Sequence, residues 1–172
     1  MSPSPARPGR PCRPSRTPPK PCSGLFLAAH GPATPDTFDA WLLRKGNRKK
    51  DVRAWFDAAD LAQVDVEGAP MFLLPEHLDE LLDTAPSTSV RLLGPFDQYI
   101  LAGGTGSAHL VPPARRSEVS RTAGWISPVV LHEGRVAGVW DVATPAAAPT
   151  LFEDVPSAAL ATELDRVRAL FS

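Results

Sequence analysis

Six cations crowd into ten residues of this chain: Arg44, Lys45, Arg48, Lys49, Lys50 and Arg53, opposed within that stretch by Asp51 alone. Guanidinium and ammonium groups at this density suit phosphate oxygens, which they meet by charge and by hydrogen bonds. The overall net charge of −1 hides the contrast. Residues 1–22 hold five of the 18 basic residues and no acid, which leaves 13 basic against 19 acidic residues downstream. A local +5 on an otherwise acidic body is the footprint of a phosphate-binding face. The plainer alternative is a solvated helix surface.

A second stretch with chemical potential is Gln63-Val64-Asp65. In an extended strand, residues two apart share a face, so an amide and a carboxylate converge there. The competing reading is a solvent-facing strand whose polar and apolar residues simply alternate. Other constellations carry less. Gly103-Gly104-Thr105-Gly106 lacks the Lys-Ser/Thr and the following helix of a nucleotide loop, and reads as a flexible hairpin or loop. His77 beside Glu76, Asp79 and Glu80 has no partner histidine at ligand spacing, so it reads as a solvated helix face, and no metal is expected. His30 reads as a partner for a helix C-terminal dipole. Cys12 and Cys22 have neither zinc spacing nor a disulfide framework, which suits a reducing compartment. No cofactor is expected.

The elements that must position these groups follow from punctuation and periodicity. Residues 1–21 hold eight of the 20 prolines and read as a disordered or polyproline-like tail. Leu25-Phe-Leu-Ala-Ala29 reads as the last turns of a helix before Gly31-Pro32. Thr34 is a helix cap with Pro35 at the first position. Phe38, Trp41 and Leu42 then share a face, and after the break at Gly46-Asn47 a second helix repeats the spacing with Val52, Trp55 and Phe56. Residues 61–74 alternate about a turn at Glu67-Gly68, which predicts a hairpin. Helix, turn, helix, hairpin is the order of a winged helix-turn-helix, in which the later helix enters the DNA major groove.

Pro75 opens a further helix with Leu78, Leu81 and Leu82 on one face. After the linker at residues 84–89, Val90-Arg-Leu-Leu93 begins a second unit. Gln98-Tyr-Ile-Leu101 is another short apolar run, and residues 113–121 form a short polar helix with Arg115, Arg116 and Arg121. Two β-runs flank His132-Glu-Gly134, residues 150–153 add a third, and the helix Ser157–Phe171 stripes Leu160, Leu164, Val167 and Leu170–Phe171, with Ser157 as its cap. No apolar run reaches the ~18 residues of a membrane span, and a cytoplasmic location is the expectation.

Three phrases then carry a resemblance: His30-Gly-Pro-Ala-Thr-Pro35, Val90-Arg-Leu-Leu-Gly-Pro-Phe-Asp-Gln-Tyr99, and Gly124-Trp-Ile-Ser-Pro-Val-Val130 followed by Gly134-Arg-Val-Ala-Gly-Val-Trp140. Over residues 24–171 the chain resembles the bacterial winged-helix DNA-binding domain-containing family, which includes AlkZ-like DNA glycosylases that resolve alkylated or crosslinked bases. The resemblance implies tandem winged-helix units followed by a β-rich C-terminal domain, of which this chain holds the later part. Glycosylase members carry a Gln-apolar-Gln or Gln-apolar-Asp pair in the N-terminal winged helix, to position water at the sugar carbon. Gln63-Val64-Asp65 matches literally but in a different place, and nothing before Leu25 supplies the pair. Asp97 is a family-type residue with a structural role, pairing with an arginine.

The expected fold is α+β: a tail over residues 1–22, a winged helix-turn-helix over 23–84, and over 90–172 a small antiparallel β domain with a C-terminal helix. The expected function is non-catalytic binding of duplex DNA through Arg44, Lys45, Arg48, Lys49, Lys50 and Arg53, with no catalytic residue on the chain. The alternatives are a DNA repair glycosylase or its remnant, and a protein-interaction module.

Overall fold

The computed structural model describes residues 21–85, 87–144 and 148–170. Most of the expected tail, with Cys12, lies outside them, as does Phe171. Helix α1 (Pro21–His30) begins two residues before the boundary drawn from composition. It stops at Gly31, where an added Cβ would sit 2.6 Å from the Leu27 carbonyl oxygen. Thr34 caps α2 (Pro35–Leu43) by accepting from the Thr37 amide at 3.1 Å, with Pro35 in the first turn, as its sequence signature predicts. Helix α3 (Lys49–Asp57) follows. Strands β1 (Ala62–Val66) and β2 (Ala69–Leu73) form a two-stranded antiparallel hairpin with Val66 opposite Ala69. Both turn residues, Glu67 and Gly68, have positive φ (51° and 84°), the combination a two-residue hairpin loop demands. Ala33 adds one more rung, exchanging two backbone hydrogen bonds of 2.9 Å with Phe72.

These elements close on one apolar core in which Phe26, Leu27, Phe38, Val52 and Phe56 are buried. The rings form a chain. Phe38 lies 5.4 Å from Phe26 and 5.8 Å from Phe56, and Phe56 lies 5.6 Å from Phe72, all tilted or edge-on as aromatic quadrupoles prefer. Val52 and Phe56 are core residues, as their spacing predicts, and Trp55 is half-buried against the same cluster. Two expectations fail in part. Leu42 is half-buried, but Trp41 keeps 39% of its surface exposed. Pro75 does open a 3-10 turn (Pro75–His77) leading into α4 (Leu78–Asp83), yet Leu81 and Leu82 face solvent.

The rest of the described chain surrounds a four-stranded antiparallel sheet in the order β3-β4-β5-β6: β3 (Val90–Leu93), β4 (Val129–His132), β5 (Arg135–Val139) and β6 (Thr150–Leu151). Its central hairpin turns at Glu133-Gly134, again with positive φ at both residues. Gln98-Tyr-Ile-Leu101, an apolar run without assigned geometry in the sequence, is helical: it opens α5 (Gln98–Gly103). One side of α5 gives Ile100 to the sheet core while Ala102 joins the aromatic core, so the two clusters share an element. The short helix expected over residues 113–121 covers 113–119, as a 3-10 turn (Pro113–Arg115) running into α6 (Arg116–Val119). No helix of the described residues is long and apolar enough to cross a membrane.

The C-terminal helix α7 (Ser157–Arg168) covers β3. Ser157 is not its cap: the capping position belongs to Pro156, and no side chain caps this end. A different polar contact fixes the helix. Glu163, 3% exposed, accepts from the Leu92 amide at 2.9 Å and so saturates a donor on the open edge of β3. Arg166 grips the same carboxylate with two donors at 2.7 Å each. The Arg166 hydrogen bond, opposed by burial and helped by the Leu92 amide, holds the Glu163 carboxyl below its ordinary value. A lowered folded value stabilises above the unfolded one and is lost as pH falls through the folded one. The melting temperature of the native chain is therefore expected to drop on acidification below roughly pH 4. Glu163→Gln is expected to melt a few degrees lower at neutral pH and to lose that part of the acid sensitivity, as followed by circular dichroism across a pH series.

Candidate nucleic-acid interface

Helix α3 turns Val52 and Phe56 inward, and this stripe leaves Lys49, Lys50 and Arg53 outside with Arg48 at the N-cap. Arg44 and Lys45 close α2 in left-handed backbone (φ 51° and 66°), donating their amides to the Ala40 and Asp39 carbonyls at 3.1 Å. All six predicted cations are exposed. Lys49 lies 3.6 Å from Asp36 in an exposed pair, which contributes at most about 1 kcal/mol. Among the described residues the other five form no ion pair, so their charge faces water unneutralised.

The turn that aims this segment is set by a residue to which the sequence assigns no role. Asp39 is buried on α2, and its Oδ1 accepts from the Asn47 side-chain amide at 2.6 Å and from the Asn47 backbone amide at 3.3 Å. A buried carboxylate is tolerated where such donors satisfy it. The partners lie eight residues apart, but α2 ends at Leu43 and Asn47 lies in the turn beyond it, so no periodic pattern links them and spacing alone gives no signal for the contact.

The Gln63/Asp65 pair does share the exposed face of β1, as alternation predicts. The Asp65 carboxylate, however, accepts from the Gly68 amide at 2.8 Å and so braces the hairpin turn. The turn is also tied to the rest of the fold, since Glu67 and His109 meet at 2.6 Å. Among the described residues Asp97 pairs with no arginine. It caps α5 by accepting from the Tyr99 amide at 2.9 Å. His30 ends α1 with its ring 5.3 Å from Phe26. Among the described residues, no three His, Cys, Asp or Glu side chains are placed to share a metal ion.

Sequence reasoning also missed an exposed aromatic group. Phe96 and Trp125 meet edge-to-face at 5.0 Å, 43% and 46% exposed, on loops leading into α5 and β4. Phe96 adopts φ 57° and the nearby Ala123 φ 59°, a left-handed conformation that costs a bulky residue about 1–3 kcal/mol. Trp41 and Arg44 stand across a groove from Phe96. Spacing could not reveal this cluster, because its members come from three separate segments.

A family model described as DNA glycosylase AlkZ-like matches residues 9–170. The chain belongs to the AlkZ-like DNA glycosylase family. It is similar to an interstrand DNA cross-link repair glycosylase of Streptomyces sahachiroi, 51% identical over 131 residues that make up 75% of this chain and 35% of that relative. Among solved structures it is similar to Streptomyces sahachiroi DNA glycosylase AlkZ, with a TM-score of 0.81 and 46% identity over 86% of this chain and 41% of the other. The chain thus spans about a third to two fifths of the length of these AlkZ-like proteins.

The buried Asp39 contact gives a direct check on the support of this AlkZ-like surface. Asp39→Ala would leave the Asn47 donors unsatisfied, and is expected to lower the unfolding free energy by about 1–3 kcal/mol in urea titrations. Asp39→Asn, which keeps an acceptor, is expected to lose less.

Proposed function

We propose that this chain acts in DNA repair as the duplex-holding part of an AlkZ-like glycosylase, with α2, α3 and the β1–β2 hairpin serving as a winged helix-turn-helix. The observation that carries the reading is the set of unneutralised cations on and before α3, in a chain of a DNA glycosylase family. The order α1, Ala33 rung, α2, α3, hairpin supports the winged-helix assignment. In this reading Arg44, Lys45, Arg48, Lys49, Lys50 and Arg53 engage phosphates and groove edges, and the duplex is one damaged by alkylation or cross-linking.

A second reading is binding without base release. One observation favours it: the only Gln-apolar-Asp triplet of the chain has its carboxylate committed to the hairpin turn, not aimed at a water. The two readings part at a single assay. Release of an alkylated base from duplex DNA by the unaltered chain, diminished in Gln63→Ala or Asp65→Ala, would place catalysis on this strand. Absence of release, with binding retained, would leave the chain a binding unit.

Binding itself has a sharper test. Replacing Lys49 and Lys50 together by Ala is expected to weaken affinity for random duplex DNA. The same change is expected to flatten the slope of log K against log salt by about 2, close to 0.9 for each phosphate left without its lysine. Unchanged affinity and slope would sink the docking mode.

A further inference from the structure

The groove between α2 and the loop preceding α5 has a volume of about 690 Å³, within the about 300–1,000 Å³ span of small-ligand sites. Trp41 and Phe96 line it, and its one charged residue is Arg44, with no carboxylate in its walls. Phe96 touches Trp125, which lines a neighbouring groove of about 620 Å³ together with Arg121 and Trp140. Asp141 is the one acid there, and its carboxylate accepts from the Ala143 amide at 2.9 Å and the Thr144 hydroxyl at 3.2 Å, within its own loop. The Phe96–Trp125 pair thus stands as an exposed aromatic ridge between two hollows, each carrying an arginine.

Exposed rings beside guanidinium groups form a platform for unpaired bases, since every base offers a π-face and every linkage a phosphate. A paired base in a duplex keeps both faces stacked on its neighbours and cannot use such a platform. Arg44 belongs both to the groove and to the cationic run, so the two surfaces are continuous. We propose that the Phe96–Trp125 ridge and the two grooves it divides receive unpaired bases of a DNA strand whose flanking duplex lies on the cations of residues 44–53. The inference rests on the DNA-binding reading and adds to it a structural class of substrate: a duplex interrupted by unpaired nucleotides.

The test compares two short labelled duplexes of one sequence, fully paired or carrying a two-nucleotide bulge, by fluorescence anisotropy at fixed salt. The unaltered chain is expected to bind the bulged duplex more tightly. Trp125→Ala is expected to weaken that complex by about 5- to 150-fold, the range for stacking one base on an aromatic ring, while binding of the paired duplex stays unchanged. Trp125→Phe keeps a ring and is expected to restore most of the preference, which separates stacking from any effect on folding. Equal binding of both duplexes by the unaltered chain, or an equal loss on both in Trp125→Ala, would overturn the groove assignment. If the paired duplex is bound and Lys49→Ala/Lys50→Ala weakens it, the DNA reading survives that failure. If neither duplex is bound, the DNA reading falls and the groove assignment with it.

Discussion

Phe38 touches the rings of Phe26 and Phe56 and stacks at 6.3 Å on Trp41, while Phe56 passes the contact on to Phe72. Each of α1, α2, α3 and β2 therefore contributes a ring to one continuous cluster. Truncating a single buried Phe costs about 3–5 kcal/mol, against a total stability of about 5–15 kcal/mol for a domain. The helices could not change their relative orientation without opening this chain of rings. Because the apolar stripe of α3 is bound into it, the opposite side of α3 has one place to go, which is solvent. The cationic surface is in this sense a consequence of the aromatic core.

Electrostatics then refine what packing has set. Cations on the outside avoid the desolvation that burial would impose on them, and among the described residues only Asp36 comes within ion-pair distance of one of them, Lys49. Asp39 is the informative exception. Its buried carboxylate holds Asn47, and through it the turn that starts the basic segment, so one negative charge inside fixes the direction of several positive charges outside. Glu163 does the equivalent for the sheet, joining α7 to the edge of β3. Ala102 on α5 links the aromatic core to the sheet half, so the aromatic ridge near α5 and the cations near α3 belong to one framework.

Local chemistry was legible where the partners are close in sequence. Thr34 and Pro35 announce α2 because a cap and its donor lie three residues apart. Glu67-Gly68 and Glu133-Gly134 announce their hairpins because few residue pairs accept positive φ at both turn positions. Val52 and Phe56 announce the inner face of α3 by helical spacing. Where the deciding partner is remote, the signal fades. Trp41 has the spacing of a core residue but lies where the core ends, and Leu81 and Leu82 have a helical stripe yet stay exposed. Ser157 has the side chain of a cap but falls one position inside the helix. Asp97 departs from its reading for a local reason instead: its carboxylate caps α5 through the Tyr99 amide.

Taken alone, the sequence determined the concentration of positive charge near residue 50, the amphipathic helices that carry it, both hairpins and the family phrases. All of these depend on side-chain type and short-range periodicity. The tertiary structure alone decided that Asp39 would hold Asn47, that Glu163 would reach Leu92 across 71 residues, and that Trp41 and Phe96 would line one groove with Arg44 while Trp125 packs on Phe96. Those contacts join segments whose separation follows no repeat, and they exist only after the apolar surfaces have collapsed and brought their backbones together.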